Sequence, residues 1–165
     1  MGERILQLQP LTADAFAPFG TVVDLAKIEA VSINEGYTLK FANLFPLDCT
    51  HEGGRVAVHF YRSTARTPPL KLRGMERHPL GSQAFWPLHQ RPYVVVVAPP
   101  SEEIDESAIK GFITSGQQAI QYHRGTWHHY QISLDEDSEF IVLDRAGPGN
   151  NCDEVELSNP LTIVL

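Results

Sequence analysis

Runs of apolar residues divide the chain into short segments that have the character of β-strands. Residues 55–62 alternate, so that Val56, Val58, Phe60 and Arg62 share one face of the predicted strand. Residues 93–98 instead form a continuous apolar run, which is typical of a strand buried on both faces. Similar patterns predict strands at residues 21–24, 38–41, 70–72, 84–87, 108–114, 119–123, 128–133 and 140–144.

Helical signals are few. Thr12 can cap a short turn at residues 13–16, and residues 101–107 predict one further turn. Twelve glycines and twelve prolines are scattered along the chain and leave no low-complexity linker. The pattern therefore predicts a single all-β domain over residues 1–165, closed as a sandwich or barrel with a few helical turns.

Composition and charge exclude several classes of partner. Hydrophobic residues make up 42% of the 165 residues, an ordinary globular value. The formal net charge is −7 and Lys and Arg form no cluster, so we expect no nucleic-acid partner. The longest apolar run, residues 94–100, is too short to cross a membrane. Cys49 and Cys152 are far apart and imply no disulfide framework, which favours a cytoplasmic location.

Polar chemistry is concentrated in two stretches that interrupt apolar strands. In the first, Glu76 and His78 are two residues apart and share one face of a strand, and Gln83 returns after a turn. In the second, His128 begins a strand after the Arg124-Gly125 turn. Together these side chains can bind a divalent metal. The alternative is a solvated strand edge, or a hydrogen-bonded pair with no metal.

Four longer strings carry a resemblance to a known family: ERHPLGSQAFWPL, YVVVVA, GFITSGQQAIQYHRGTWHH and LDRAGPGNNCDE. They resemble the ureidoglycolate lyase family, a branch of the cupin superfamily, and the likeness is densest over residues 74–154. Departures from the general cupin motifs accompany it. Glu76 stands where a His is usual, Gln83 where a Glu is usual, and His123 where a Pro is usual.

The resemblance implies a cupin-type β-barrel, also called a double-stranded β-helix or jelly roll, that forms a homodimer. It also implies a carbon–nitrogen lyase that cleaves ureidoglycolate into glyoxylate and urea during allantoin breakdown. The implied cofactor is a divalent metal, and nickel is the ion associated with the family. The alternative is a cupin that catalyses a different reaction, or that only binds a small carboxylate without catalysis.

Site residues follow from the chemistry of such a substrate. Glu76, His78 and His123 are candidates for general acid–base catalysis, because imidazole and buried carboxyl groups titrate near neutral pH. The candidate metal ligands are Glu76, His78, Gln83 and His128.

Substrate binding has two further candidates, each with an alternative. Arg62 can pair with the substrate carboxylate, or it can extend from the strand end into water. Tyr122 can hydrogen-bond the substrate, or it can be a packed aromatic residue. We expect His129 on the outer surface because it alternates away from His128, and we expect Asp144 and Arg145 to form an ion pair.

Overall fold

The chain folds almost entirely into short β-strands. A computed structural model describes residues 4–165. In chain order the strands are β1 (Arg4–Ile5), β2 (Leu8–Pro10), β3 (Gly20–Val23), β4 (Val31–Ile33), β5 (Thr38–Lys40), β6 (Arg55–Ser63), β7 (Leu70–Arg77), β8 (Gln83–Pro87), β9 (Tyr93–Ala98), β10 (Lys110–Ile113), β11 (Ala119–Tyr122), β12 (Trp127–His128), β13 (Ile132–Ser133), β14 (Ser138–Ala146) and β15 (Asp153–Ile163). The helical segments are α1 (Ala13–Phe16) and single 3-10 turns at Leu25–Lys27, Asn34–Gly36, His51–Gly53 and Glu106–Ala108.

Two curved sheets pack face to face. The first sheet has the order β1-β15-β7-β12-β9-β10-β2, and β13 also pairs with β9. The second sheet has the order β3-β11-β8-β14-β6. A separate hairpin is formed by β4 and β5. This architecture confirms the predicted all-β, cupin-type barrel.

The core has two layers, one on each face of the first sheet. The layer between the sheets combines Val95, Val97 and Phe112 of the first sheet with Phe85 and Phe140 of the second. The other layer lies behind the first sheet. Strand β9 is buried at all of its positions, as the continuous apolar run predicts, because alternate residues enter alternate layers.

Most predicted elements are confirmed. The Thr12 side chain accepts a hydrogen bond from the Ala15 amide at 3.2 Å and caps α1. The strand predicted at 128–133 is interrupted and survives as β12 and β13. The turn predicted at 101–107 is a 3-10 turn shifted to Glu106–Ala108. The patterns missed β15, where Asn159 and Pro160 interrupt the alternation and the pairing with β7 shifts register.

No helix among residues 4–165 is long and apolar enough to span a membrane. The cytoplasmic location stays a prediction.

Candidate active site and metal centre

Strand pairing directs one row of polar side chains into the space between the sheets. Val97 belongs to the core layer between the sheets and lies opposite His128, which in turn lies opposite Glu76. Residues opposite one another on antiparallel strands share a face. His128 and Glu76 therefore face the second sheet, and Glu154, opposite Glu76 on β15, joins the same row.

Glu76, His78 and His128 converge to form a potential metal site. One ligand atom from each of the three lies within 4.8 Å of the others. The His78 and His128 ring centroids are 5.0 Å apart, and His128 Nδ1 is 3.8 Å from Glu76 Oε1. His128 is buried, whereas Glu76 and His78 are partly exposed, so the cluster meets the protein interior on one side and a solvent path on the other.

Hydrogen bonding prepares His78 to act as a ligand. Its Nδ1 lies 2.7 Å from the backbone oxygen of Asn151, and a carbonyl oxygen only accepts, so this nitrogen carries the proton. The Nε2 atom is then the free acceptor. Metal-binding histidines are usually oriented by this kind of contact through the ring nitrogen that does not bind the metal.

Three buried polar atoms at the site have no hydrogen-bond partner among residues 4–165, which leaves them able to bind a metal ion or substrate. They are Nε2 of His78, Nε2 of His128 and Oε1 of Gln83. Buried polar groups are normally satisfied. Two imidazole nitrogens and a carboxylate are also a suitable donor set for a transition metal ion. The residues present therefore fit the divalent metal that the sequence predicts.

The electrostatics of the site separate the roles of Glu76 and His128. Burial raises the pKa of Glu76, the charge on His78 opposes this rise, and the Glu154 and Asp144 carboxylates add to it. Burial, aided by His78, lowers the pKa of His128 to about 3. At neutral pH, His128 is therefore an uncharged imidazole, and the Glu76 carboxyl group has an increased affinity for a proton.

The second sheet contributes Gln83 and Tyr122. Tyr122 lies opposite Gln83 on neighbouring strands, and its ring stacks on that of His128 with centroids 4.3 Å apart and planes 8° apart. Burial raises the pKa of the Tyr122 hydroxyl, and Glu76 adds to the rise, so this group stays protonated. Tyr122 therefore lies beside the cluster, and Gln83 is its neighbour on the inner face of the second sheet.

An open cavity of about 350 Å³ leads to Glu76. Its walls also include Arg73, Tyr130 and Glu154. No sequence motif marked Arg73, which occupies an exposed position of β7 between the buried residues Leu72 and Met75. Its guanidinium is a cation at the entrance to an otherwise acidic site.

Arg62 does not reach this site, which corrects the position expected from the sequence. Its side chain is 70% exposed and pairs with Glu139 at 2.9 Å on the outer face of the second sheet. The inner face of β6 carries Tyr61, whose ring packs at 5.9 Å from that of Phe85. The expectation assumed that the apolar face of β6 is the buried one, but Val58 on that face is 65% exposed.

His123 also lies away from the cluster. Its Nε2 is 3.3 Å from the backbone oxygen of Ala17, at the end of α1. Tyr122 is directed into the site, and adjacent residues of an extended chain point to opposite sides. The His123 ring instead lies against the end of α1, and within residues 4–165 no hydrogen bond links it to Glu76, His78 or His128.

His129 is buried, whereas the alternation predicted a surface position. Strand β12 ends at His128, so strict alternation no longer applies to the next residue. The ring turns beneath β7, where Nδ1 lies 2.9 Å from the Gly74 oxygen. Burial lowers the pKa of His129 to about 4, and Arg66 contributes while the Gly74 contact opposes the shift.

Comparisons with known proteins agree with this geometry. A family model described as ureidoglycolate lyase matches residues 3–164. A ureidoglycolate lyase of Burkholderia mallei is 48% identical over 158 residues, which cover 96% of this chain and 92% of that protein. A ureidoglycolate lyase of Pseudomonas putida is 38% identical over 162 residues, which cover 98% of this chain and 97% of that protein. The chain therefore belongs to the ureidoglycolate lyase family.

Proposed function

We propose that this protein is an enzyme that cleaves ureidoglycolate into glyoxylate and urea. The observation that carries the proposal is the convergence of Glu76, His78 and His128 on the inner face of the barrel, in a chain that belongs to this family. Relatives named ureidoglycolate lyase, such as the Burkholderia mallei protein, match nearly the whole chain.

The reaction requires one proton to move between two atoms of the substrate. The central carbon of ureidoglycolate bears a carboxylate, a hydroxyl group and a ureido nitrogen. The hydroxyl loses its proton, its oxygen forms the carbonyl of glyoxylate, the carbon–nitrogen bond breaks, and the nitrogen takes up a proton to give urea. The process is a general acid–base elimination without net gain or loss of protons.

Glu76 is the group that we assign to this proton transfer. Glu76 lines the cavity that substrate enters, and its second carboxylate oxygen stays available as a base when the first binds an ion. The hydroxyl oxygen and the ureido nitrogen are bonded to the same carbon. A single carboxyl group can therefore accept the proton from the oxygen and return it to the nitrogen.

His78 and His128 complete the site as metal ligands together with one oxygen of Glu76. When bound, a divalent ion would lower the pKa of the substrate hydroxyl. Nickel, the predicted ion, is compatible with imidazole ligands. Tyr122 packs against the His128 ring and holds its orientation. Gln83 was also predicted as a metal ligand, and its Oε1, which has no partner among residues 4–165, belongs to the second sheet.

The substrate carboxylate needs a cation, and Arg73 takes the role predicted for Arg62. Arg73 lines the same cavity as Glu76. A guanidinium group can bind a carboxylate through two parallel hydrogen bonds.

Direct assay of products tests the proposal. Purified protein is incubated with ureidoglycolate before and after treatment with a chelator, and urea, glyoxylate and ammonia are measured. We expect equal amounts of urea and glyoxylate, and a loss of more than about a hundredfold in kcat for Glu76→Gln, because general acid–base catalysis contributes about 10²–10⁴-fold. Glu102, whose side chain is 97% exposed, provides the matched control Glu102→Gln, which should keep wild-type activity.

Other product patterns would contradict the proposal. Ammonia as the main product would identify an amidohydrolase. Binding of glyoxylate without any turnover would favour the alternative of a cupin that only binds a small carboxylate.

We also propose that the protein is a homodimer. The outer face of edge strand β6 exposes Val56, Val58 and Phe60, and the separate hairpin exposes Val31 and Leu39. Isolated two-stranded hairpins are marginally stable in water, so a second copy that covers both features would stabilise them. Sedimentation velocity should give a dimer for wild type and a monomer for Val58→Asp. A wild-type monomer at micromolar concentration would contradict this assignment.

A further inference from the structure

Gln83 and Asp144 form a hydrogen-bonded pair on the wall opposite the metal ligands. Ala84 lies opposite Leu143, which places Gln83 opposite Asp144 on the inner face of the second sheet. Gln83 Nε2 donates to Asp144 Oδ2 at 3.1 Å. Gln83 is only 4% exposed, so both ends of its amide are inside the protein.

Asp144 is itself held in place, and no Lys, Arg or His among residues 4–165 forms an ion pair with it. Its Oδ1 accepts a hydrogen bond from the Arg145 backbone amide at 2.7 Å. The ion pair expected between Asp144 and Arg145 is wrong, because the Arg145 guanidinium donates to the backbone oxygens of His51, Glu52 and Pro148. The Asp144 carboxylate is thus available to fix the Gln83 amide.

This arrangement determines which end of the amide is free. An ionised carboxylate offers only acceptors, so the NH₂ group of Gln83 must face Asp144. The carbonyl oxygen Oε1 then points away from Asp144. It is buried and has no hydrogen-bond partner among residues 4–165. A buried acceptor without a partner is unusual and costs free energy unless a ligand supplies a donor.

The neighbours of Gln83 link it to the metal-ligand cluster. Gln83 is flanked by Tyr122, whose ring stacks on His128. Asp144, on its other side, is among the charges that raise the pKa of Glu76. The pair therefore forms the wall of the site that faces the cluster of Glu76, His78 and His128.

We infer that Gln83 Oε1 accepts a hydrogen bond from the ureido N–H of the substrate, and that Asp144 is a positioning residue that keeps this oxygen turned into the site. The inference rests on the proposed function and adds a subsite for the ureido group. It predicts that the site distinguishes ligands that carry a ureido group from those that carry only a carboxylate, because only the former supply the donor.

Binding of two stable ligands tests the subsite. N-carbamoylglycine carries a carboxylate and a ureido group but no hydroxyl group, so it cannot undergo the cleavage, whereas glyoxylate has no ureido group. For Gln83→Ala, calorimetry on the metal-loaded protein should show Kd for N-carbamoylglycine about tenfold higher, as expected for one lost buried hydrogen bond. The Kd for glyoxylate and the metal content should stay within about twofold of wild type. Gln117, which is exposed, gives the matched control Gln117→Ala with no change.

A second variant tests the positioning role and also serves if Gln83→Ala does not fold. Asp144→Asn has the same shape but can present a donor to Gln83, so the amide is free to turn. We expect weaker binding of N-carbamoylglycine, with glyoxylate binding unchanged.

Two results would overturn the inference: equal effects on both ligands, or loss of metal from Gln83→Ala, which would make the amide oxygen an ion ligand. Wild-type protein that binds N-carbamoylglycine through Gln83 but releases no urea would refute the proposed function alone. Wild-type cleavage with no effect of Gln83→Ala on binding would refute the subsite alone.

Discussion

Mild acid should destabilise the protein through His129, and the sign follows from its buried ring. The folded-state pKa is lowered to about 4, below the ordinary value of 6.5. The unfolded chain therefore binds more protons than the folded chain between these two values. Stability from the neutral ring is fully present above pH 6.5 and is lost as the pH falls toward 4.

The magnitude follows from the two pKa values. At pH 7, protonation of the unfolded state at this position reduces the free energy of unfolding by only about 0.2 kcal/mol. At pH 5 protonation reduces the free energy of unfolding by about 2 kcal/mol, because nearly every unfolded molecule carries the proton on His129 and few folded molecules do. The fall from pH 7 to pH 5 that is due to His129 is thus about 2 kcal/mol.

Urea denaturation of chelator-treated protein, followed by tryptophan fluorescence at pH 7, 6 and 5, measures this effect. Other groups also titrate in this range, so the informative quantity is the difference between wild type and His129→Gln. The destabilisation caused by that substitution should shrink by about 2 kcal/mol between pH 7 and pH 5. His51, whose side chain is 43% exposed, provides the control His51→Gln. A difference for His129→Gln that stays constant with pH would refute the reasoning.

Two further predictions concern the site, and a third concerns the packing of β3 against β11. Arg73→Gln should lower kcat/KM about thirtyfold, because about 2 kcal/mol of charge-assisted hydrogen bonding to the substrate carboxylate is lost. The control Arg62→Gln should change kcat/KM less than about twofold. Equal effects of the two substitutions in steady-state kinetics would show that Arg73 does not bind the substrate. His128→Gln should lower the affinity for nickel at least about tenfold in equilibrium dialysis, because even substitution of residues that only orient the ligands lowers metal affinity about 10–100-fold. Unchanged nickel binding would exclude His128 as a ligand. Gly20→Ala should destabilise the protein by about 3 kcal/mol in urea denaturation, because its Cβ would lie 1.7 Å from the Gln121 backbone oxygen; wild-type stability would mean that β3 moves freely against β11.

Strand periodicity was sufficient to predict that Glu76 and His78 face the same side of β7. Glu76 and His78 are two residues apart on a regular strand, so their common direction depends only on local geometry. Placing His128 beside them required the order of the two motifs, because β12 pairs with β7 across some fifty positions of sequence that alternation alone cannot bridge.

The predictions that were wrong share a physical cause, which is that local sequence does not determine how a strand is turned or where it ends. The patterns for β6 showed one apolar face, but they could not show that this face is turned outward, because an exposed apolar surface and a core have the same composition. The prediction for His129 failed where a two-residue strand ends and the chain direction changes. The roles that we assign to Arg73 and Asp144 depend on register and on side-chain contacts, and neither has a local sequence signal.

The stacking of Tyr122 on His128 joins the two sheets at the site, and it has a consequence for how the protein acquires its activity. The ion ligands Glu76, His78 and His128 lie on and beside the first sheet, whereas the proposed ureido subsite at Gln83 lies on the second sheet. The complete site, with the ion ligands and the ureido subsite together, therefore forms only when the two layers dock. Closure of the barrel is then the step that completes the active site.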